Sequence, residues 1–206
     1  MPSRSTPERA RTRRAATLAL VLASSLLGGC GALVVGGITV GAAALYDRRP
    51  YYVVIDDQQI EMNAISAIQQ DRELQDHARI SVTSYNYTVL LTGQAERAEL
   101  AQRAADKVRR LAKVQRVVDE ITIGPRVSLA RKSEDAYLTS RVKLALTKVD
   151  LEDFDATRVK VISEDGVVYL MGLVSPAEAD AATEKARYVR GVKRVVKLFE
   201  YRPTGN

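Results

Sequence analysis

The sequence has one cysteine and one histidine in 206 residues, and this shortage excludes several kinds of site. A single cysteine cannot form an intramolecular disulfide. One cysteine and one histidine together cannot supply the four side chains of a zinc site. No nucleophile-elbow pattern or phosphate-cradling glycine loop occurs, and the acidic stretch 150–155 lacks the glycine of a calcium loop. His77 lies in a polar stretch and is predicted to be a solvated loop residue. We therefore expect no enzyme activity, no metal ion and no cofactor.

The folded part of the chain also lacks a strong basic excess. The whole sequence has 31 basic and 25 acidic residues, which gives a net charge of +6. Five arginines and one glutamate lie within residues 1–29, and removing this segment lowers the net charge to +2. Because nucleic-acid binding needs a basic stripe on the folded domain, no nucleic acid is expected as a partner.

The amino-terminal segment has the composition of a secretory signal peptide. Its arginines precede an uncharged apolar stretch, residues 15–27, and small residues follow. Residues 27–30 are Leu-Gly-Gly-Cys, which resembles the lipobox of bacterial lipoproteins. The resemblance implies that residues 1–29 are removed, and that Cys30 is acylated on its thiol, with fatty chains such as palmitate, and on its amino group. Gly31 resembles the outer-membrane sorting pattern.

An uncleaved membrane anchor with a free Cys30 thiol is the alternative. Residues 15–45 are long enough to span a bilayer, which needs about 20 apolar residues. Six glycines interrupt this stretch, however, and each costs a helix about 1 kcal/mol relative to alanine. Residues 30–50 are therefore predicted to be the lipidated cysteine and a glycine-rich tether. The tether either lies on lipid or is a plain flexible linker.

Two copies of one sequence unit follow the tether, at an offset of 78 or 79 residues. Residues 89–93, Val-Leu-Leu-Thr-Gly, correspond to residues 168–172, Val-Tyr-Leu-Met-Gly. The predicted domains are residues 51–124 and 133–203, and residues 125–132 are predicted to link them.

Each unit is predicted to fold in the order helix, strand, strand, helix, strand. The fold class is α+β, with two helices covering one face of a three-stranded mixed sheet, because every element must bury its apolar side. Asp165-Gly166 predicts a tight hairpin turn with positive φ angles. The first unit has Asn86-Tyr87 there, and since tyrosine tolerates the left-handed region poorly, this turn is expected to differ.

Helix ends are predicted from capping residues. Ser133 is predicted to be the N-cap of the first helix of the second unit, with Glu134 and Asp135 in an acidic first turn. Ser175 and Glu178 predict a capping box at the start of its second helix. Gly191 suits the end of that helix, where the first unit has Lys113, a more costly residue in a left-handed conformation.

The order of elements, the alanine-rich second helix and the Gly-Val-x-x-Val segment at residues 191–195 resemble the BON domain. With the lipobox and the tether, the mature chain resembles the outer-membrane lipoproteins that have two BON domains. The resemblance implies a lipid-anchored protein that faces the periplasm. It implies binding to anionic phospholipids (phosphatidylglycerol and cardiolipin) in the inner leaflet of the outer membrane, through the first helix of the second domain. It further implies support of envelope integrity and cell division.

This helix has a second stripe beside its predicted buried face, which consists of Leu138, Val142, Ala145 and Leu146. Tyr137, Arg141, Leu144 and Lys148 are spaced by four, three and four residues, so they are neighbours on the helix surface. A ring, an aliphatic side chain and two cations suit a lipid headgroup region. The family resemblance implies an aromatic lipid contact at the position of Tyr137. The predicted lipid-binding residues are Tyr137, Leu138, Arg141, Leu144, Thr147 and Lys148.

Other interpretations of the same features stay open from the sequence. The stripe is alternatively a mixed solvent face, or a contact with the first unit. The whole chain is alternatively a protein-interaction module that assists outer-membrane protein assembly, cell-wall hydrolase activation or division proteins. Repeated small domains on a tether suit that role equally well.

Overall fold

The computed structural model describes residues 47–125 and 129–202, with the backbone alone at Leu129 and Ala130. The signal segment, Cys30 and the predicted tether up to residue 46 lie outside the described residues. Among the helices of the described part, none has the length and apolar character needed to cross a bilayer.

The first unit contains three helices and three strands, one helix more than the sequence predicts. They are α1 (Tyr51–Gln69), α2 (Arg72–His77), β1 (Ala78–Tyr85), β2 (Thr88–Ala95), α3 (Ala98–Arg109) and β3 (Arg116–Ile123). The additional helix is α2, which begins after the N-cap Asp71. His77 therefore ends a helix rather than lying in a loop, and its Nδ1 is 2.9 Å from a carboxylate oxygen of Glu96.

The second unit repeats this order without the additional α-helix. Its elements are α4 (Leu129–Leu146), a 3-10 turn (Ala156–Arg158), β4 (Lys160–Glu164), β5 (Val167–Val174), α5 (Pro176–Arg187) and β6 (Arg194–Tyr201). The predicted N-cap at Ser133 is wrong, because α4 begins at Leu129, inside the predicted linker. In the acidic stretch after α4, the Asp155 carboxylate accepts a hydrogen bond from the Thr157 N–H at 2.8 Å and caps the 3-10 turn.

Each unit contains the predicted mixed sheet of three strands. β2 is the central strand of the first sheet, antiparallel to β1 and parallel to β3. In the second sheet, β5 is central, antiparallel to β4 and parallel to β6. The predicted α+β class and the three-stranded mixed sheets are thus confirmed.

Residues 47–125 and 129–202 form four layers, which are helices, sheet, sheet and helices. The helices of each unit cover one face of their own sheet, as the sequence predicts. The other faces of the two sheets pack on each other around Tyr85 and Leu90 from the first unit and Tyr169 and Met171 from the second. All eight residues of β2 are buried as a result. The sheet contact leaves both outer helix layers facing solvent.

The two hairpin turns have the same backbone, which corrects the expectation that they differ. Asn86 and Tyr87 have φ angles of 49° and 64°, and Asp165 and Gly166 have φ angles of 46° and 78°. A buried carboxylate explains why tyrosine is tolerated in this conformation. The Asp57 side chain on α1 accepts hydrogen bonds from the N–H groups of Asn86, at 2.7 Å, and Tyr87, at 2.9 Å.

Asp135 on α4 has the same role in the second unit. Its carboxylate accepts hydrogen bonds from the N–H groups of Asp165, at 2.9 Å, and Gly166, at 3.1 Å. The sequence interpretation assigned Asp135 to an acidic first turn and gave Asp57 no role. The signal was present, since these turn-binding aspartates are 78 residues apart and each precedes a core residue by three positions.

The residues just before α1 join the two units. The Arg49 guanidinium pairs with Asp57 at 2.6 Å and stacks on the Tyr85 ring, with its central carbon 3.7 Å from the ring centroid. The neighbouring Arg48 donates two hydrogen bonds to the Glu178 carboxylate of the second unit, at 2.6 and 2.8 Å. The chain therefore enters α1 through a junction that contacts both units.

Glu178 also completes the capping box that the sequence predicts at the start of α5. The Ser175 Oγ accepts a hydrogen bond from the Glu178 N–H, and the Glu178 carboxylate accepts one from the Ser175 N–H. Burial raises the pKa of Glu178, but the hydrogen bonds from Arg48 and Ser175 and the charge of Arg48 outweigh it and hold the pKa at about 2.

We expect Glu178 to stabilise the fold near neutral pH and to lose this effect in acid. Its pKa in the folded chain lies below the ordinary value of 4.5. As the pH falls from about 5 to 2, the Glu178 carboxylate is therefore protonated in the unfolded chain first, and this favours unfolding. The full contribution is about 3 kcal/mol. Urea unfolding followed by circular dichroism should show that the free energy of unfolding falls more between pH 7 and pH 3 for the wild type than for Glu178→Gln. Equal losses in the two proteins would contradict this assignment.

Candidate lipid-contact surface

The surface in question is the outward side of α4, the first helix of the second unit. Leu138, Val142 and Leu146 point into the core between α4, α5 and the second sheet, and this fixes the rotation of the helix. Tyr137 and Leu144 then face solvent, 67% and 61% exposed. Large apolar side chains this exposed are available to contact a membrane or a partner.

The two cations of the stripe are placed differently. The Arg141 Nη1 donates a hydrogen bond to the Arg190 carbonyl oxygen at 2.8 Å, and the guanidinium carbon lies 5.7 Å from the centre of the Tyr137 ring. Lys148 is exposed just beyond the last residue of α4. No carboxylate in the described part of the chain forms an ion pair with Arg141 or Lys148. Both positive charges are therefore open to an external anion.

Thr147 and Leu138 are placed differently from the other predicted lipid-binding residues. The Thr147 hydroxyl donates a hydrogen bond to the Leu144 carbonyl oxygen at 2.8 Å, within the last turn of the helix. Leu138 is 6% exposed and packs in the core, where it also lies against Gly191. Leu138 cannot touch lipid from this position, because it lies with Val142 and Leu146 on the side of α4 that faces the core. We assign it a supporting role beneath Tyr137 and Arg141.

A groove of about 450 Å³ adjoins the stripe and adds cations that sequence reasoning missed. Arg131, Tyr137 and Arg141 line it from α4, and Arg190 and Lys193 line it from the loop before β6. Two carboxylates offset part of this positive charge. Asp165 of the hairpin turn pairs with Lys193 at 3.2 Å, and Glu134, which also lines the groove, pairs with Arg131 at 3.1 Å.

Arg190 and Lys193 lie 44 and 47 residues beyond the end of α4, so helical spacing could not connect them to the stripe. Their signal in the sequence is that they flank Gly191 in the Gly-Val-x-x-Val segment. Gly191 has a φ angle of 100° and an added Cβ would lie 3.5 Å from the Leu138 side chain, so this loop runs close to α4. That closeness brings the two basic residues to the groove.

The same positions in the first unit lack this chemistry. With the offset of 78 residues that relates the two cores, the stripe corresponds to polar, uncharged residues on α1. The four pairs are Tyr137 with Gln59, Arg141 with Asn63, Leu144 with Ser66, and Lys148 with Gln70. Only one of the two copies therefore has an exposed cationic and aromatic stripe at this place.

Comparisons with known proteins agree with this architecture. The family model for the BON domain matches residues 56–125 and 134–203. The outer membrane lipoprotein DolP of Haemophilus influenzae is 37% identical over 186 residues, which cover 89% of this chain and 95% of that protein. The chain belongs to the DolP family of outer-membrane lipoproteins. The family membership places it in the outer membrane and makes the two repeated units BON domains.

Further similarities add little beyond the DolP family. The 21 kDa hemolysin of Actinobacillus pleuropneumoniae is 37% identical over 155 residues, which cover 75% of this chain and 79% of that protein. Neither relative bears the name of an enzyme. The C-terminal domain of CdsD, a structural protein of the type III secretion system of Chlamydia trachomatis, covers 69% of this chain at 12% identity, with a TM-score of 0.29. That score is too low to carry an argument.

Proposed function

We propose that this DolP-family lipoprotein binds anionic phospholipid in the inner leaflet of the outer membrane through the exposed stripe of α4. Cys30 carries the lipid anchor, the BON domains face the periplasm, and the lipid contact supports envelope integrity and cell division. The observation that carries the proposal is the exposed Tyr137 and Leu144 beside the open charges of Arg141 and Lys148. We leave Leu138 out of the contact because it is buried.

The arrangement suits the boundary between headgroups and acyl chains. Tyr137 and Leu144 can enter the outer edge of the apolar region, while Arg141 and Lys148 reach lipid phosphates. Arg190 and Lys193 in the adjoining groove extend the cationic surface. Each cation near an anionic membrane contributes about 1 kcal/mol, and salt weakens this contribution. We therefore infer weak, salt-sensitive binding by the domains themselves.

Weak binding is sufficient when the protein is already tied to the membrane. An acyl chain contributes about 0.8 kcal/mol for each buried CH2, and two or more chains hold a protein stably. A tether of the length between Cys30 and Pro50 has a reach of about 25 Å, so the domains meet headgroups at an effective concentration of millimolar or higher. A patch of low intrinsic affinity is then mostly occupied.

Charge reversal on the stripe should abolish binding to anionic vesicles. The double variant Arg141→Glu, Lys148→Glu removes two cations, worth about 2 kcal/mol, so at least a thirtyfold loss of binding is expected. The assay is sedimentation of residues 46–206 with phosphatidylglycerol and cardiolipin vesicles at low and high salt. This fragment contains all three described hydrophobic cores.

Lys143→Glu is the matched control, because Lys143 is exposed on α4 but lies away from the stripe. It should reduce binding far less than the double variant, and wild-type binding should fall as salt rises. Equal sedimentation of the wild type and the double variant would overturn the lipid proposal. That result would instead favour the alternative, a protein-interaction module for outer-membrane protein assembly or cell-wall hydrolase activation.

A further inference from the structure

The outward side of α1 carries no charged side chain, although charged residues make up 27% of the sequence. Its exposed residues are aromatic, aliphatic, amide or hydroxyl residues. They are Tyr51, Tyr52, Ile55, Gln58, Gln59, Met62, Asn63, Ile65, Ser66 and Gln69. Met62 and Tyr51 are 67% and 64% exposed, so large apolar side chains lie open to water on this helix.

The three acidic residues of α1 all have partners inside the molecule. Asp56 pairs with Lys113 and Asp57 with Arg49, each at 2.6 Å. Glu61 pairs with Lys160 of the second unit at 2.9 Å. The charges of α1 are thus used in holding the fold, and none of them faces outward.

Six of the exposed residues form a straight seam along the helix. Their spacing alternates between four and three residues, which is the spacing of the contact positions in a coiled coil. We call them the α1 seam, and they are Tyr51, Ile55, Gln58, Met62, Ile65 and Gln69. The core-facing residues Val53, Ile60 and Ala64 lie on the opposite side of the same helix. The fold of the first unit therefore does not account for the seam's spacing.

The composition of the seam fits another helix better than a membrane. Helices that lie on anionic lipid carry lysine or arginine around their apolar side, and the outward side of α1 has neither. Tyrosine and methionine are enriched in protein interfaces, where charged residues are depleted. A seam of alternating spacing packs its side chains between those of a facing helix.

We propose that the α1 seam docks on the same seam of a second copy of the chain, with the two helices parallel and in register. In this register Ile55, Met62 and Ile65 each meet their own counterpart. Gln58 and Gln69 also meet their own counterparts, and side-chain amides can hydrogen-bond to each other as donor and acceptor. Polar residues at such positions fix the register of paired helices.

The direction of the chain favours the parallel arrangement. The segment that leads to Cys30 enters α1 at its amino-terminal end, and parallel helices place both amino-terminal ends on one side. Two chains anchored in the same leaflet need this geometry. This step, unlike the spacing and composition of the seam, rests on the proposed lipid anchor.

The size of the seam sets the strength of the contact. α1 has 19 residues and is about 28 Å long, so one helix pair buries less than the roughly 800 Å² per partner of a standard stable interface. The pair is therefore weak in dilute solution. Confinement of both chains to one membrane raises their effective concentration and makes the contact significant there.

Disulfide trapping in isolated membranes tests the pairing. Cys30 is the one cysteine of the sequence and is blocked when acylated, so Gln58→Cys supplies a single free thiol at the centre of the seam. Mild oxidation of the full-length lipoprotein should give a disulfide-linked dimer. Asn63→Cys, exposed on the same helix but off the seam, should give at least fivefold less dimer. Adding Ile55→Lys to Gln58→Cys should lower the dimer at least fivefold.

Three outcomes overturn the proposal: no dimer from Gln58→Cys, equal dimer from both cysteine positions, or no effect of Ile55→Lys. If Gln58→Cys gives no dimer but its thiol is shielded from a water-soluble maleimide only in membranes, the seam contacts lipid and the proposal fails. The chain without an added cysteine serves as a separate control. If that chain forms a disulfide dimer, its Cys30 thiol is free. This result would contradict the proposed lipid anchor, not the proposed pairing of α1.

Discussion

Replacing Gly93 by alanine is expected to destabilise the first BON domain strongly, with a loss of about 4 kcal/mol in the free energy of unfolding. Gly93 has a φ angle of +116°, and a Cβ built there would lie 2.0 Å from the Arg79 carbonyl oxygen on β1. The obstructing atom belongs to the backbone of a paired strand, so no side-chain rotation relieves the clash. The free energy of unfolding of a typical domain is about 5–15 kcal/mol, so this loss is a large share of it.

Urea unfolding followed by far-UV circular dichroism measures the effect, since the chain has no tryptophan for fluorescence. Gly124→Ala is the matched control, because an added Cβ there has no neighbouring heavy atom within 4 Å. This variant should stay within about 0.5 kcal/mol of the wild type. Equal unfolding midpoints for the two variants would show that the close approach at Gly93 does not constrain the sheet.

Asp57→Ala is expected to cost about 3–5 kcal/mol, because it removes one partner of a buried ion pair. Asp57 is 3% exposed and pairs with Arg49, whose side chain is 8% exposed and would keep only Asp47 as an ion-pair partner in the described structure. The change also removes the acceptor for the N–H groups of Asn86 and Tyr87, which hold the strained turn. Ser84 loses a further hydrogen bond, from its Oγ to the carboxylate at 2.7 Å.

Asp56→Ala tests whether the effect belongs to the buried carboxylate. Asp56 is the next residue, yet its carboxylate binds the exposed Lys113 and the Tyr87 hydroxyl rather than the turn N–H groups, so its removal should cost much less. Asp135→Ala should fall between the two variants, since Asp135 accepts two turn N–H groups but has no ion pair in the described structure. A cost for Asp57→Ala no greater than that for Asp56→Ala would contradict the role we assign to the turn-binding aspartates.

The two BON domains share a backbone but present different surfaces. Both use an aspartate of the first helix to hold the hairpin turn, and both bury the same side of that helix. The outward sides differ, because α4 carries Tyr137, Arg141 and Lys148 while α1 carries the uncharged seam. Sheet packing leaves both helices outside. This arrangement is compatible with both of our proposals, lipid contact at α4 and pairing of α1 with a second chain.

Several features of the fold and the site follow from the sequence because they depend on local spacing. The periodic apolar residues Val142 and Leu146 set the buried side of α4 and, with it, the exposure of Tyr137 and Leu144. Leu138 was assigned to both sides in the sequence interpretation. The structure resolves this overlap, because a residue that packs against Val142 and Leu146 cannot also face outward.

Other features could not be read from spacing because they join distant parts of the chain. The start of α4 was placed at the wrong serine, because Ser133 was chosen as the N-cap although Ser128 directly precedes Leu129 and is of the same favoured residue type. The left-handed Tyr87 looked unfavourable because its compensation comes from Asp57, 30 residues earlier. Arg190 and Lys193 reach the groove because the loop at Gly191 approaches α4.

The amino-acid sequence was enough to predict the signal-like segment with Cys30, the twofold repeat, the order of helices and strands common to both units, and the cationic stripe on one helix. These features depend on composition, repetition and the period of a single element. Three-dimensional packing was needed to show that the two sheets meet face to face and that aspartates on the first helices hold the turns. It also decided which cations gather beside the stripe. Alternation along a strand shows that two faces exist, but the partner of each face is chosen by contacts between distant residues.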